Sequence, residues 1–157
     1  MRSVFIISIA AILSIGCSKN IASKMSENTV FPKGDKVTNS NFIGNVYVHM
    51  ITHSDTIHNI TMGNVTFEPG ARTNWHYHPG GQILMITEGI GYYQEKGSPI
   101  RWMRKGDVIK CPHNVEHWHG ASPKTGVTHL AISTNTNLGA AVWLKPVTNE
   151  EYGKNAE

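Results

Sequence analysis

The chain has 157 residues, room for one domain of ordinary size. An apolar fraction of 39% supports a core and excludes wholesale disorder, while a charged fraction of 16%, against a usual ~25%, excludes a coiled coil or a long solvated helix. The net charge of +3 is scattered, with Arg101, Arg104 and Lys105 as its densest stretch, so no nucleic-acid partner is expected; nine histidines are the excess that asks for a chemical reason.

Residues 4–16 form an apolar run behind Arg2. Thirteen residues are too short to cross ~30 Å of hydrocarbon as a helix, and the pattern is that of a secretory leader. The run ends in Leu13-Ser14-Ile15-Gly16-Cys17, which resembles the lipobox of bacterial lipoproteins, with Ser14 where a larger aliphatic residue is usual. Residues 1–17 are therefore expected to be a signal peptide. The chain is expected to be exported and held at the membrane only by lipid on Cys17; without the lipid it would be periplasmic or secreted. An acylated Cys17 leaves Cys111 as the lone thiol, so no intrachain disulfide is expected, and Cys111 reads as a small strand residue. Residues 18–30 are polar and aperiodic, a flexible tether to a domain spanning residues 31–157.

From residue 41 to residue 144 the chain is a series of short β-rich runs. The expected strands are Phe42–Ile51, Ile60–Phe67, Ile83–Thr87, Gly91–Glu95, Ile100–Met103, Asp107–Cys111, Glu116–His119, Val127–Ser133 and Ala140–Leu144. Gly- and Pro-containing turns separate them, at Glu68-Pro69-Gly70, Pro79-Gly80-Gly81 and Lys96-Gly97-Ser98-Pro99 among others. Many short strands at regular spacing predict an all-β sandwich or barrel. Thr148–Tyr152 alone looks helical, with Thr148 as N-cap.

Two segments carry the chemistry. The first runs from Gly70 to Gly89 and contains His76, His78 and Gln82. Two residues apart on a strand, His76 and His78 point the same way, and the Pro79-Gly80-Gly81 turn can return Gln82 beside them. The second segment, from Gly106, contains Pro112, His117 and His119, again two apart. Four inward imidazoles are costly as bare polar groups, and a divalent metal supplies a reason for them. Trp75 and Trp118 alternate with these histidines and are expected to point outward. His49, His53, His58 and His113 have no partner at ligand spacing and read as surface or turn residues.

These segments resemble the two cupin motifs, G-x5-H-x-H-x3-E-x6-G and G-x5-P-x-G-x2-H-x3-N. The first is matched by Gly70, His76, His78 and Gly89, with Gln82 at the Glu position. The second is matched by Gly106, Pro112 and His117, with Asn114 at the Gly position and Ala121 at the Asn position. The resemblance covers about residues 65–135. It implies an all-β, single-domain cupin, a small β-barrel or double-stranded β-helix, here with a short C-terminal helical turn. It also implies a metal held by His76, His78, Gln82 and His117. The stretches from Phe67 to Thr73, His117 to Ala121, Thr128 to Ile132 and Trp143 to Tyr152 resemble one bacterial subgroup, the manganese-dependent cupin hydroxynitrile lyases. In that group three His and one Gln hold the metal, and two further His line the pocket, matching His119 and His129.

The resemblance implies Mn²⁺, while imidazole and oxygen ligands also suit Fe²⁺, Ni²⁺ or Zn²⁺. The neutral Gln82 leaves a divalent site at its full +2, suited to a small anion or to polarising a hydroxyl or carbonyl. The expected function is a metal-dependent, lyase-like enzyme acting on a small hydroxy or carbonyl compound, with His119 or His129 moving the proton. An iron-dependent dioxygenase and a non-enzymatic, lipid-tethered cupin binding an anion or metal are the alternatives. The resemblance and the apolar outer strand faces together favour a homo-oligomer, with Phe31–Asn41 as the segment expected to cross to a neighbour. Thr73 belongs to the subgroup's pocket, but strict alternation puts it out of phase with His76.

Overall fold

The structure of the protein is a computed structural model that describes residues 29–153. The expected leader and most of the tether lie outside them. Almost all regular structure is strand: β1 (Asp35–Lys36), β2 (Phe42–Ile43), β3 (Val46–Thr52), β4 (Ile60–Phe67), β5 (Arg72–Thr73), β6 (His76–Tyr77), β7 (Gln82–Glu95), β8 (Arg101–Arg104), β9 (Val108–Cys111), β10 (His117–Ala121), β11 (Val127–Thr134) and β12 (Val142–Trp143). One short helix follows, α1 (Asn149–Gly153). No helix among the described residues is long and apolar enough to cross a membrane.

All pairings are antiparallel, and the main path runs β1-β3-β4-β11-β7-β10-β5-β2, a curled half-barrel. Two differences from the expected strands build this curl. The expected Phe42–Ile51 strand is two strands, split at Gly44. Its φ of 83° suits glycine, and a Cβ there would sit 2.9 Å from Ala71. The expected Ile83–Thr87 and Gly91–Glu95 strands are one strand, β7. Its first half pairs with β9 and β11, its second half with β8 and β10. Opposite Thr128 and His129 the register slips by one residue, a bulge that bends β7 from one side of the barrel to the other.

Alternation then sorts the side chains. On β7, Leu84 and Ile86 turn inward, while Ile83 is half-buried and Met85 is exposed. The inward set packs with Val46, Phe67, Ile109 and Val127 into the core. Phe67 is fully buried, and its truncation to Ala would cost about 3–5 kcal/mol.

A second cluster covers the outside of β10: Trp75, Tyr92, Trp118, Val147 and Tyr152. Trp75 and Trp118 thus face away from the histidines, as alternation requires. The C-terminal segment is clamped there. Arg72 donates to Val147 O (2.9 and 3.2 Å) and Asn149 Oδ1 (2.8 Å), and the Tyr152 hydroxyl donates to Ala121 O (2.8 Å). Thr148 caps α1 as expected: Glu151 N–H donates to Thr148 Oγ1, and Thr148 N–H donates to the Glu151 carboxylate.

Candidate metal centre

Strand β6 delivers His76 and β10 delivers His117 directly opposite it, their ring centres 4.4 Å apart. β6 ends at Tyr77, so His78 lies beyond the strand, in the turn that Gly81 N–H closes onto His78 O (3.1 Å). Its ring is 5.2 Å from that of His76 and 5.7 Å from that of His117. The tight turn needs its glycines: Gly81 has φ 83°, and a Cβ on Gly80 would lie 2.0 Å from Thr134 O. Gln82 then opens β7. Asn114, at the usual Gly position of the second motif, takes φ 59°, a left-handed conformation that Asn tolerates, and donates its N–H to His78 O (3.0 Å). His76, His78, Gln82 and His119 line a cavity of about 220 Å³.

The hydrogen bonds set the tautomers. His76 Nδ1 lies 3.0 Å from Asn74 O, and His117 Nδ1 lies 2.9 Å from Val115 O. A carbonyl only accepts, so each Nδ1 carries the proton and each Nε2 carries the lone pair. This is how ligand histidines are oriented at metal centres. The buried His78 Nε2, Gln82 Oε1 and His117 Nε2 have no hydrogen-bond partner. An unsatisfied buried polar atom costs about 1–3 kcal/mol, so three together call for an occupant. The residues fit a divalent metal. Among the described residues, one histidine trio has ring nitrogens all within 4.8 Å of one another: His76, His117 and His119. Two of these belong to the expected ligand set; the third was expected to move protons.

His119 is joined to His129, with His129 Nε2 3.2 Å from His119 Nδ1. His119 borders the cavity; the fully buried His129 stands behind it, packed on Phe67. Thr73 also lines the cavity, and its Oγ1 accepts the His119 N–H (3.1 Å). Strict alternation fails for Thr73 because β5 and β6 are separate strands, and Asn74-Trp75 between them resets the phase. Away from the site, His53, His58 and His113 are exposed and His49 is half-buried. Cys111 is buried on β9, and burial pushes its thiol up to about 12, which makes it inert.

Burial, reinforced by neighbouring imidazoles, holds His76 and His119 well below the ordinary 6.5; burial and His117 bring His78 down to about 4. Burial also lowers His117, and it brings His129 to about 4. All five rings are therefore neutral near pH 7, as metal ligation and proton acceptance require. Between pH 6.5 and about 4 the unfolded chain binds a proton at His129 that the folded chain refuses. Stability is thus flat above that window and falls as pH drops through it, by about 3 kcal/mol for this ring. The metal-free protein is expected to lose several degrees of Tm between pH 7 and pH 4.5, and to change little between pH 7 and pH 8. Thermal melts across that range check it; a flat acid profile would contradict the neutral assignment.

A cupin-domain family model matches residues 63–132. Over 111 residues the chain is 40% identical to an (R)-mandelonitrile lyase of Granulicella tundricola, covering 71% of this chain and 85% of that protein. Among solved structures it is similar to a cupin-like protein from Thermotoga maritima, with 50% identity and a TM-score of 0.79 over 81% of this chain and 96% of that one. It also shares a fold with a DMSP lyase from Ruegeria pomeroyi, with 17% identity and a TM-score of 0.57 over 66% and 54% of the two chains.

Proposed function

The chain belongs to the cupin family, and from that premise we propose that it is a metal-dependent lyase that splits a small hydroxynitrile into a carbonyl compound and hydrogen cyanide, or joins them in reverse. The observation that carries this reading is the unpaired His78 Nε2 and Gln82 Oε1 of two residues lining one small cavity, with the unpaired His117 Nε2 on the ring packed against His76, beside the His119–His129 pair. The similarity to an (R)-mandelonitrile lyase supports it. A divalent ion held by His76, His78, Gln82 and His117, for which we propose Mn²⁺, would supply Lewis acidity toward the substrate oxygen.

The protein's own residues handle the proton. In the tautomer whose Nδ1–H donates to His129 Nε2 (3.2 Å apart), His119 keeps a bare Nε2. That nitrogen accepts the hydroxyl proton of the hydroxynitrile. The carbonyl forms as the C–C bond to the nitrile breaks, its electron pair leaves with cyanide, and the proton passes to cyanide. His129 accepts from His119 throughout and stabilises its transient charge, and Thr73 holds the strand through the His119 N–H. The test is release of benzaldehyde and cyanide from mandelonitrile by metal-loaded protein under nitrogen. A requirement for oxygen would favour a dioxygenase, and tight cyanide or azide binding without turnover a binding protein.

Gln82 sets the charge of this site. Its neutral amide leaves a divalent ion at +2, where a carboxylate would leave +1. Gln82→Glu is therefore expected to keep the metal but weaken cyanide and azide binding, by about tenfold or more. Anion titration of the metal's spectroscopic signal checks it; affinity equal to wild type would contradict the charge argument.

We also propose export with a lipid anchor at Cys17, supported by the leader pattern of residues 1–17, which lie outside the described residues. Cys17→Ala is expected to move the protein from the membrane fraction to the soluble one; identical soluble fractionation of both forms would exclude the anchor. A homo-oligomer is supported by Met85 and Val108, which face each other across β7 and β9 and stay 42% and 52% exposed.

A further inference from the structure

Two of the three candidate imidazole ligands are held alike, and the third is not. His76 and His117 each direct Nδ1–H at a backbone carbonyl two residues back, Asn74 O and Val115 O. A carbonyl only accepts, so each of those rings has one tautomer. The Nδ1 of His78 faces a side chain instead, 3.4 Å from Ser133 Oγ on β11, while its buried Nε2 has no partner.

The fold places Ser133 at this corner. In the β11–β7 ladder it stands directly opposite Gln82, so both side chains leave the same face, and with His78 they line the cavity. The residues that follow fasten the end of β11 to the turn after His78. Thr134 N–H donates to Gly81 O (3.1 Å), Thr134 Oγ1–H to Gly80 O (2.8 Å) and Asn135 Nδ2–H to Gly80 O (3.1 Å). The His78 backbone is fixed as well, because its carbonyl accepts from Gly81 N–H and Asn114 N–H. Ring rotation and the choice of tautomer are what remain to be set at His78, and Ser133 Oγ is the partner placed to set both.

We propose that Ser133 is a positioning residue for the metal centre: its hydroxyl oxygen accepts Nδ1–H of His78 and so keeps the lone pair on Nε2, the atom available to a divalent ion. This rests on the reading of His76, His78, Gln82 and His117 as the ligand set. With the proton on Nε2 instead, the ring would offer no lone pair there. Partners that hold the second nitrogen of a ligand histidine are worth about 10–100-fold in metal affinity. For His76 and His117 that partner is backbone, which no substitution removes. For His78 it is a side chain, so Ser133 is the point at which the site loosens without loss of a ligand.

The test uses the full chain loaded with Mn²⁺, with affinity measured by competition against a chelator. Ser133→Ala is expected to weaken Mn²⁺ by about tenfold or more, and Ser133→Thr, which keeps the hydroxyl, to stay within about threefold of wild type. A second readout separates positioning from packing. In zinc-loaded protein, NMR of the imidazole nitrogens follows the exchange of each Nδ1–H with water. Ser133→Ala is expected to speed exchange at His78 and to leave His76 and His117 unchanged. Wild-type affinity in Ser133→Ala, equal weakening in the Ala and Thr variants, unchanged exchange at His78, or faster exchange at all three rings would overturn the proposal. The ligand set and the lyase fail by other results. Metal retained by His78→Ala, or no Mn²⁺ bound by wild type, overturns the ligand set and Ser133 with it. Metal lost by His78→Ala but held normally by Ser133→Ala overturns Ser133 alone. If both Ser133 effects are found and mandelonitrile is not cleaved, the positioning role stands and the lyase falls.

Discussion

His117→Ala is expected to strip the protein of its metal. The His117 ring is fully buried, its Nδ1 proton is committed to Val115 O, and its Nε2 has no partner. It also stands opposite His76, with the two ring centres 4.4 Å apart. Removing a group that merely orients a ligand costs about 10–100-fold in metal affinity, and loss of a ligand itself should exceed that. Metal per chain, measured on protein purified without chelator, is the readout; wild-type content would sink the assignment. Two companion variants decide the remaining corner. His78→Ala is expected to lose metal and His119→Ala to keep it under the proposed four-ligand set of His76, His78, Gln82 and His117, which the unpaired His78 Nε2 and Gln82 Oε1 support. The reverse result would transfer the site to the close trio of His76, His117 and His119.

Turnover should collapse in His119→Ala while metal remains. Loss of a general acid or base typically costs ~10²–10⁴-fold, so kcat for mandelonitrile cleavage should fall by at least about a hundredfold. His129→Ala acts one bond further away. It leaves His119 Nδ1 without its partner, frees the tautomer, and exposes the transient imidazolium to a site with no acceptor. A large drop in kcat with little change in KM is the expected signature, and His129→Gln, which can still accept from Nδ1, should recover part of it. The pH profile supplies a check that a packing defect would not reproduce. Burial and neighbouring imidazoles keep His119 well below 6.5. The acid limb of kcat/KM should therefore fall below pH 6.5, where protonation removes the base. A tenfold effect or less in His119→Ala, or loss of metal together with activity, would take it out of the proton-transfer role.

Much of this was legible in the residues themselves. Pairs of histidines two apart, each following a glycine at motif distance, marked the chain segments that meet at the cavity. The same alternation sent Trp75 and Trp118 outward, where they pack under Val147 and Tyr152. Thr148 before Glu150 and Glu151 marked the capped start of the helix, which begins at Asn149. Such local signals are reliable because they depend on the pleat of one strand or the first turn of one helix, both set by neighbours in sequence.

The tertiary structure decided what crosses between elements. Thr73 and His76 both reach the cavity although an unbroken strand would separate them, because the chain leaves the sheet at Asn74-Trp75 and re-enters with a new phase. His129 stands behind His119 because β11 carries it past a bulge, and no periodicity within that strand reveals which ring it meets. Phe42 and Trp143 come from opposite ends of the domain, and strand pairing brings them together at His76. Side-chain alternation is a property of one continuous strand. The curl of a sheet, its bulges and the closing of distant edges follow from where buried area and backbone hydrogen bonds are jointly satisfied, and that is settled only when the whole chain has packed.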